Sequence, residues 1–163
     1  MNYSLVEIRD NNILALRYFL LEGPEAWAPL QRELQEDDET AAGYVSLLLG
    51  AFSVAVRRRF PATPTAAEIM RFVTDFRISR EDADLINPLV VEDVIRRAVD
   101  TSPLDEDEPE DLTAVLSIKA HILLFLVAEA DFSATELERF IEEVVDYTRE
   151  WLVARRAEML AGR

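Results

Sequence analysis

The chain contains no cysteine. That absence removes thiol nucleophiles, disulfides, Cys-ligated zinc and iron–sulfur clusters together, and it fits a reducing compartment. Glycine is almost as scarce, with four in 163 residues. Neither G-x-x-x-x-G-K-[ST] nor G-x-G-x-x-G occurs, so no local loop can cradle a phosphate. The G-x-S-x-G elbow of α/β-hydrolases is missing too. Positive charge is short: 17 basic residues face 32 acidic ones, for a formal net charge of −15. Neutralising phosphates needs a basic face, so direct binding to nucleic acid is not expected. The segment MNYSLVEIRDNN has no basic leader with an apolar core and a small-residue cleavage site, and a cytoplasmic location is expected. Lys119 is the only lysine among the 17 basic residues. We read the arginine bias as the codon usage of a GC-rich bacterial genome.

What is present is a globular composition, 50% hydrophobic and 30% charged. A chain of this length suits one domain and can bury roughly 70% of the surface exposed when unfolded. Its apolar residues recur at i, i+3, i+4 and i+7, the period of a helix, and no long run alternates like a half-buried strand. The fold class expected is all-α: a mostly antiparallel multi-helix bundle with a C-terminal αα-hairpin.

Local signals place the helices. Ile13, Leu16 and Leu20 share a face that Gly23 brings to a stop. Residues 3–9 extend this helix or form an arm, and Asn11 and Asn12 suit a break or an N-cap. Pro24 opens a second helix with Trp27, Leu30 and Leu34 inside, ended by the acidic run 36–39. Residues 40–60 form the most apolar helix. It has no charge over 41–56 and is followed by Arg57, Arg58 and Arg59. A membrane span needs about 20 apolar residues. Gly43, Ser46, Gly50 and Ser53 dilute this run, so we expect a core helix and no span, with the two glycines admitting a close neighbour. Thr65 with Glu68 and Ser133 with Glu136 have capping-box spacing, Ser79 with Asp82 a weaker version, and Asn87–Pro88 reads as N-cap and first helical residue. Helices are predicted over 65–77, 79–86 (short), 88–100, 110–131 and 133–160.

The segment 101–110, TSPLDEDEPE, breaks the pattern and reads as an acidic linker or loop. It divides a helical part of five to six helices, residues 1–100, from a hairpin over 111–163 that is expected to fold with it as one domain. Asp131, Phe132 and Ser133 alone join the last two helices, short enough for an antiparallel pair. The final helix carries a stripe of Leu137, Phe140, Ile141, Val144, Val145, Thr148, Trp151 and Leu152, with carboxylates opposite. Helix 110–131 is apolar over more of its circumference and should lie centrally.

Few residues invite chemistry. His121 is the sole histidine, and its i±3 and i±4 neighbours are Ile118, Ser117, Leu124 and Phe125, which hold no metal. A structural histidine, hydrogen-bonded to Ser117, is the plainer reading; a weak ligand site is the sharper one. Arg57, Arg58 and Arg59 are candidates for an anion site. Yet the basic clusters 57–59, 96–97 and 155–156 all fall in predicted last turns, where cations complement helix carbonyls. The acidic run after 104 lacks the glycine and glutamate an EF-hand needs. No cofactor and no metal are expected. Phe52, Phe60, Phe72, Phe76, Phe125 and Phe140 fall on apolar faces and suit a core. Phe140, Trp151 and Trp27 are also weak interface candidates, the tryptophans because each sits on an amphipathic helix beside charges.

Three function classes follow. The leading expectation is a non-enzymatic protein-interaction or regulatory module, with an unknown protein partner or self-association as a homodimer. An exposed apolar strip on helix 133–160 would mark it. The alternative is a small-molecule binder or enzyme with a pocket between helices. Its mark would be a cleft where His121, Tyr44 or an arginine converges with carboxylates. The third is an acidic mimic of nucleic acid.

Overall fold

A computed structural model describes residues 5–23, 38–101 and 112–162. Among the described residues 83% are helical, in six α-helices and no strand. The chain is therefore an all-α helical bundle. The helices are α1 (Asp10–Glu22), α2 (Asp38–Arg59), α3 (Ala66–Ile78), α4 (Pro88–Asp100), α5 (Leu112–Ala130) and α6 (Ala134–Ala161), with one 3-10 turn at Ala83–Leu85. The expected helix around Trp27 and the linker after Thr101 lie outside the described residues.

The chain divides into two compact units, Met1–Ala51 with Asp131–Arg163, and Phe52–Ala130. The first contains α1, the N-terminal part of α2, and α6. Its core on α6 is Leu137, Phe140, Ile141, Val144, Val145, Thr148 and Leu152, the expected stripe save that Trp151 is half-buried. Both glycines of α2 are contact points here. A Cβ on Gly50 would stand 2.2 Å from Thr148 Oγ1, and one on Gly43 would stand 2.8 Å from the Glu7 carbonyl and 2.7 Å from Asn12 Oδ1. Only a hydrogen at these positions lets the neighbours come so near.

Asn12 is neither a break nor an N-cap. It lies inside α1 and is fully buried. Its Oδ1 accepts from the Arg9 backbone N–H (3.0 Å), and its Nδ2 donates to the Thr40 carbonyl (2.8 Å). One amide thus caps α1 and ties it to the start of α2, and burial is possible because both ends are satisfied. Arg17 holds Glu138 through two parallel bonds of 2.8 Å, linking α1 to α6. At the other end of α6 the Arg156 guanidinium donates to the Val6 carbonyl. Gly23 ends α1 as expected, at φ +81, a conformation glycine adopts without strain.

The second unit holds the end of α2 with α3, the 3-10 turn, α4 and α5. Four phenylalanines centre it. Phe72 meets Phe60 and Phe125 edge-on at 5.3 and 5.5 Å, and stacks on Phe76 at 6.4 Å. On α5 the buried residues are Lys119, Ile122, Leu123 and Leu126, while Leu116, Ile118, Leu124, Phe125 and Val127 are only half-buried. The central placement expected for this helix is not what is found. Its apolar residues run all round, so composition hides which stripe is covered. By length and composition both α2 and α5 could cross a bilayer; 78% of the α2 window is buried within the chain, against 22% for α5.

The predicted helix starts hold at three places. Thr65 and Glu68 form a reciprocal box (2.7 and 3.2 Å), as do Ser133 and Glu136 (2.8 and 3.2 Å), and Asn87 caps Leu89 N (3.0 Å) with Pro88 first in α4. The bond from the cap N–H holds the Glu68 and Glu136 carboxyls below their ordinary range. The predicted short helix over 79–86 shrinks to the single 3-10 turn. The Ser79 hydroxyl turns back to the Phe76 carbonyl (2.6 Å) and Asp82 pairs with Arg80 (2.7 Å), so the two never form a box.

Candidate functional site

The α3–turn–α4 segment builds an open apolar groove. The two helices meet directly. Each buries one narrow stripe: Ile69, Phe72, Val73 and Phe76 on α3, and Val91, Val94, Ile95 and Ala98 on α4. Both have apolar residues left over. Met70, Ile78 and Leu89 lie off the stripes, 60%, 77% and 70% exposed, and Leu85 in the turn is 87% exposed. Met70, Ile78 and Leu89 border a groove of about 420 Å³ with Val73 and Pro88. Scattered single exposures need no account, but three that line one concavity do.

The groove is held open by its turn. Arg77 on its wall donates through Nε and Nη2 to the Ala83 carbonyl (3.3 and 3.1 Å), pinning the 3-10 turn against the end of α3. Arg80 and Asp82 close a bidentate pair beside it (2.7 and 2.8 Å). That bond is the main reason the Asp82 carboxyl lies below its ordinary range, with a smaller contribution from His121. Glu92, the one carboxylate lining the groove, is held by Arg96 one turn along α4 (2.8 Å). The polar groups at the groove are thus already bonded, and what it offers an incoming molecule is apolar surface.

The residues singled out by sequence are placed elsewhere. His121 is half-buried on α5, its Nδ1 2.7 Å from the Ser117 carbonyl. Tyr44 is buried in the first unit beside Ala15, and burial raises its phenol well above its ordinary value. His121 belongs to the second unit and Tyr44 to the first. Arg57 sits in the last turn of α2, as expected, and also donates to the carbonyls of Ala98 in α4 (3.4 Å) and of its C-cap Thr101 (3.3 Å). Arg59 pairs with Glu129 and lies over the Phe60 and Phe72 rings (5.3 and 5.9 Å). Arg58 is exposed in the same last turn of α2. Arg155 and Arg156 are not in the last turn of α6, which runs on to Ala161.

Phe140 is 0% exposed and stacks on Phe132 (5.4 Å), so it has no surface to give a partner. Trp151 is half-buried, and Trp27 lies outside the described residues. Beyond Leu152 two apolar residues of α6 are uncovered, Val153 63% and Leu160 71% exposed, and both lie off the buried stripe. A further exposed row, Leu14, Tyr18 and Leu21, runs along α1. Among the described residues no group of three His, Asp or Glu could hold a metal ion.

The groove residues escaped the sequence reading, though a signal existed. Met70 and Ile78 are apolar positions in excess of the stripe on which Ile69, Phe72, Val73 and Phe76 lie, and Leu89 is in excess of the α4 stripe of Val91, Val94, Ile95 and Ala98. The chain matches no protein-family model, and no curated protein or solved structure is significantly similar to it.

Proposed function

We propose that this chain is a non-enzymatic interaction module that receives an apolar helical segment of a partner protein in the α3–α4 groove. The observation that carries the reading is the trio of Met70, Ile78 and Leu89, each at least 60% exposed, lining one apolar concavity. An amphipathic helix offers side chains at i, i+3, i+4 and i+7, a row that suits a groove between two helices. α3 from Met70 to Ile78 rises about 12 Å, enough to face two turns of such a helix. A small ligand fits the volume, but walls this open would leave much of it in water.

The test is site-specific photocrosslinking in the native cell. A benzophenone side chain at position 89 or 78 is expected to trap one discrete partner, and the same group at Glu142 on α6 is not. Equal, diffuse adducts at all three positions would sink the reading. Labelling at 89 by a small metabolite alone would replace it with the ligand-binding alternative.

A further inference from the structure

We infer that the helix received by the groove is basic, with its cationic residues set where they meet the 80–85 turn. The inference rests on the docking reading above and adds the chemistry of the partner. Residues 70–93 span both walls and the turn. They hold six carboxylates (Asp75, Glu81, Asp82, Asp84, Glu92 and Asp93) against the three guanidiniums of Arg71, Arg77 and Arg80. Three of the six are compensated locally: Asp82 by Arg80 at 2.7 Å, Glu92 by Arg96 at 2.8 Å and Asp93 by Arg97 at 2.9 Å. Asp75, Glu81 and Asp84 are exposed, and among the described residues no cation pairs with them. Asp84 adjoins Ala83, which lines the groove, and Glu81 precedes Ala83 by two residues in the same turn.

The Arg77 guanidinium is turned to the Ala83 carbonyl, to which it donates twice. A helix laid along the groove therefore brings one end over two unpaired carboxylates. An acidic helix is repelled there. A neutral one strips water from Glu81 and Asp84 without replacing it. Arginine or lysine at that end converts the cost into ion pairs, and the net charge of −15 steers such a partner in.

The test uses two synthetic helices of about 18 residues, long enough to hold helical structure. They share one leucine stripe and differ only in arginine or glutamate at the polar positions. Fluorescence anisotropy against the full chain at low salt is expected to show the arginine peptide binding about fivefold tighter or more, as two exposed ion pairs supply. The preference should fade as salt rises toward about 1 M. Glu81→Gln with Asp84→Asn should remove most of it. Glu142→Gln with Asp146→Asn, an equal change of charge on α6, should leave it intact. Leu89→Glu should abolish binding of either peptide.

Equal affinity for both peptides, or equal loss from the α6 pair, overturns the charge inference while the groove reading stands. Failure of both peptides to bind, or binding indifferent to Leu89→Glu, overturns the groove reading itself. Sedimentation of the chain alone supplies the last arm. A dimer dispersed by Leu89→Glu would make a second copy the occupant and overturn the basic partner.

Discussion

Gly50→Ala is the sharpest test of the packing in the first unit. In an exposed helix the change would stabilise by about 1 kcal/mol, because alanine loses less backbone entropy than glycine. Here the added methyl carbon would stand 2.2 Å from Thr148 Oγ1, 3.4 Å from Thr148 Cβ and 3.7 Å from Tyr147 Cδ1. The Thr148 hydroxyl has little freedom to move. It is fully buried and donates to the Val144 carbonyl at 2.7 Å. Relief requires either a rotamer that gives up this bond or a shift of α6 away from α2. Overpacking of this kind costs about 1–3 kcal/mol beyond the propensity gain.

We therefore expect Gly50→Ala to destabilise by about 1–2 kcal/mol, lowering Tm by about 2–4 °C for each kcal/mol. In a Thr148→Ala background the obstacle is gone and the same substitution should turn neutral or stabilising. Urea denaturation of the four proteins of this cycle reads a coupling of about 2 kcal/mol. Gly50→Ala that stabilises the wild-type chain by its full propensity, or an effect identical in both backgrounds, would refute the close contact.

Three further outcomes are expected. Phe72→Ala, which empties the centre of the four-ring cluster, should cost about 3–5 kcal/mol in urea denaturation. Asn12→Ala should cost about 2 kcal/mol by the same assay, since the buried bonds to Arg9 N and Thr40 O are lost together. The Arg17 guanidinium holds the Glu138 carboxyl below its ordinary value of 4.5. Its folded pKa is depressed, so its contribution is present above that value and lost as pH falls through the folded pKa. Glu138→Gln should thus lower Tm at neutral pH and leave it unchanged in acid; a deficit that persists in acid would count against the ion pair.

Much of the secondary structure was legible because it is written in neighbouring residues. Thr65 with Glu68, Ser133 with Glu136, Asn87 before Pro88, and Gly23 each satisfy orphan helix-end groups by contacts two to four residues long. Asn12 misled because its decisive partner, Thr40, is 28 residues away. Ser79 and Asp82 misled for the opposite reason: closer partners, Phe76 O and Arg80, took their side chains first. The joining of α6 to α1 depends on Arg17 and Glu138, 121 residues apart, which no local pattern announces. Gly43 and Gly50 did announce close approaches, though not to what. The groove was hidden because burial of α3 and α4 must be known before Met70, Ile78 and Leu89 stand out as surplus.

The central claim is that the α3–α4 groove docks a helix, and methyl NMR tests it most directly. With Met, Ile and Leu methyls labelled, titration of the arginine-faced leucine helix should perturb Met70, Ile78, Leu85 and Leu89 together at one saturating stoichiometry. Leu14, Leu21 and Leu160, exposed on α1 and α6, should stay where they are. Perturbations confined to those α1 and α6 methyls, with the groove methyls unmoved, would contradict the account.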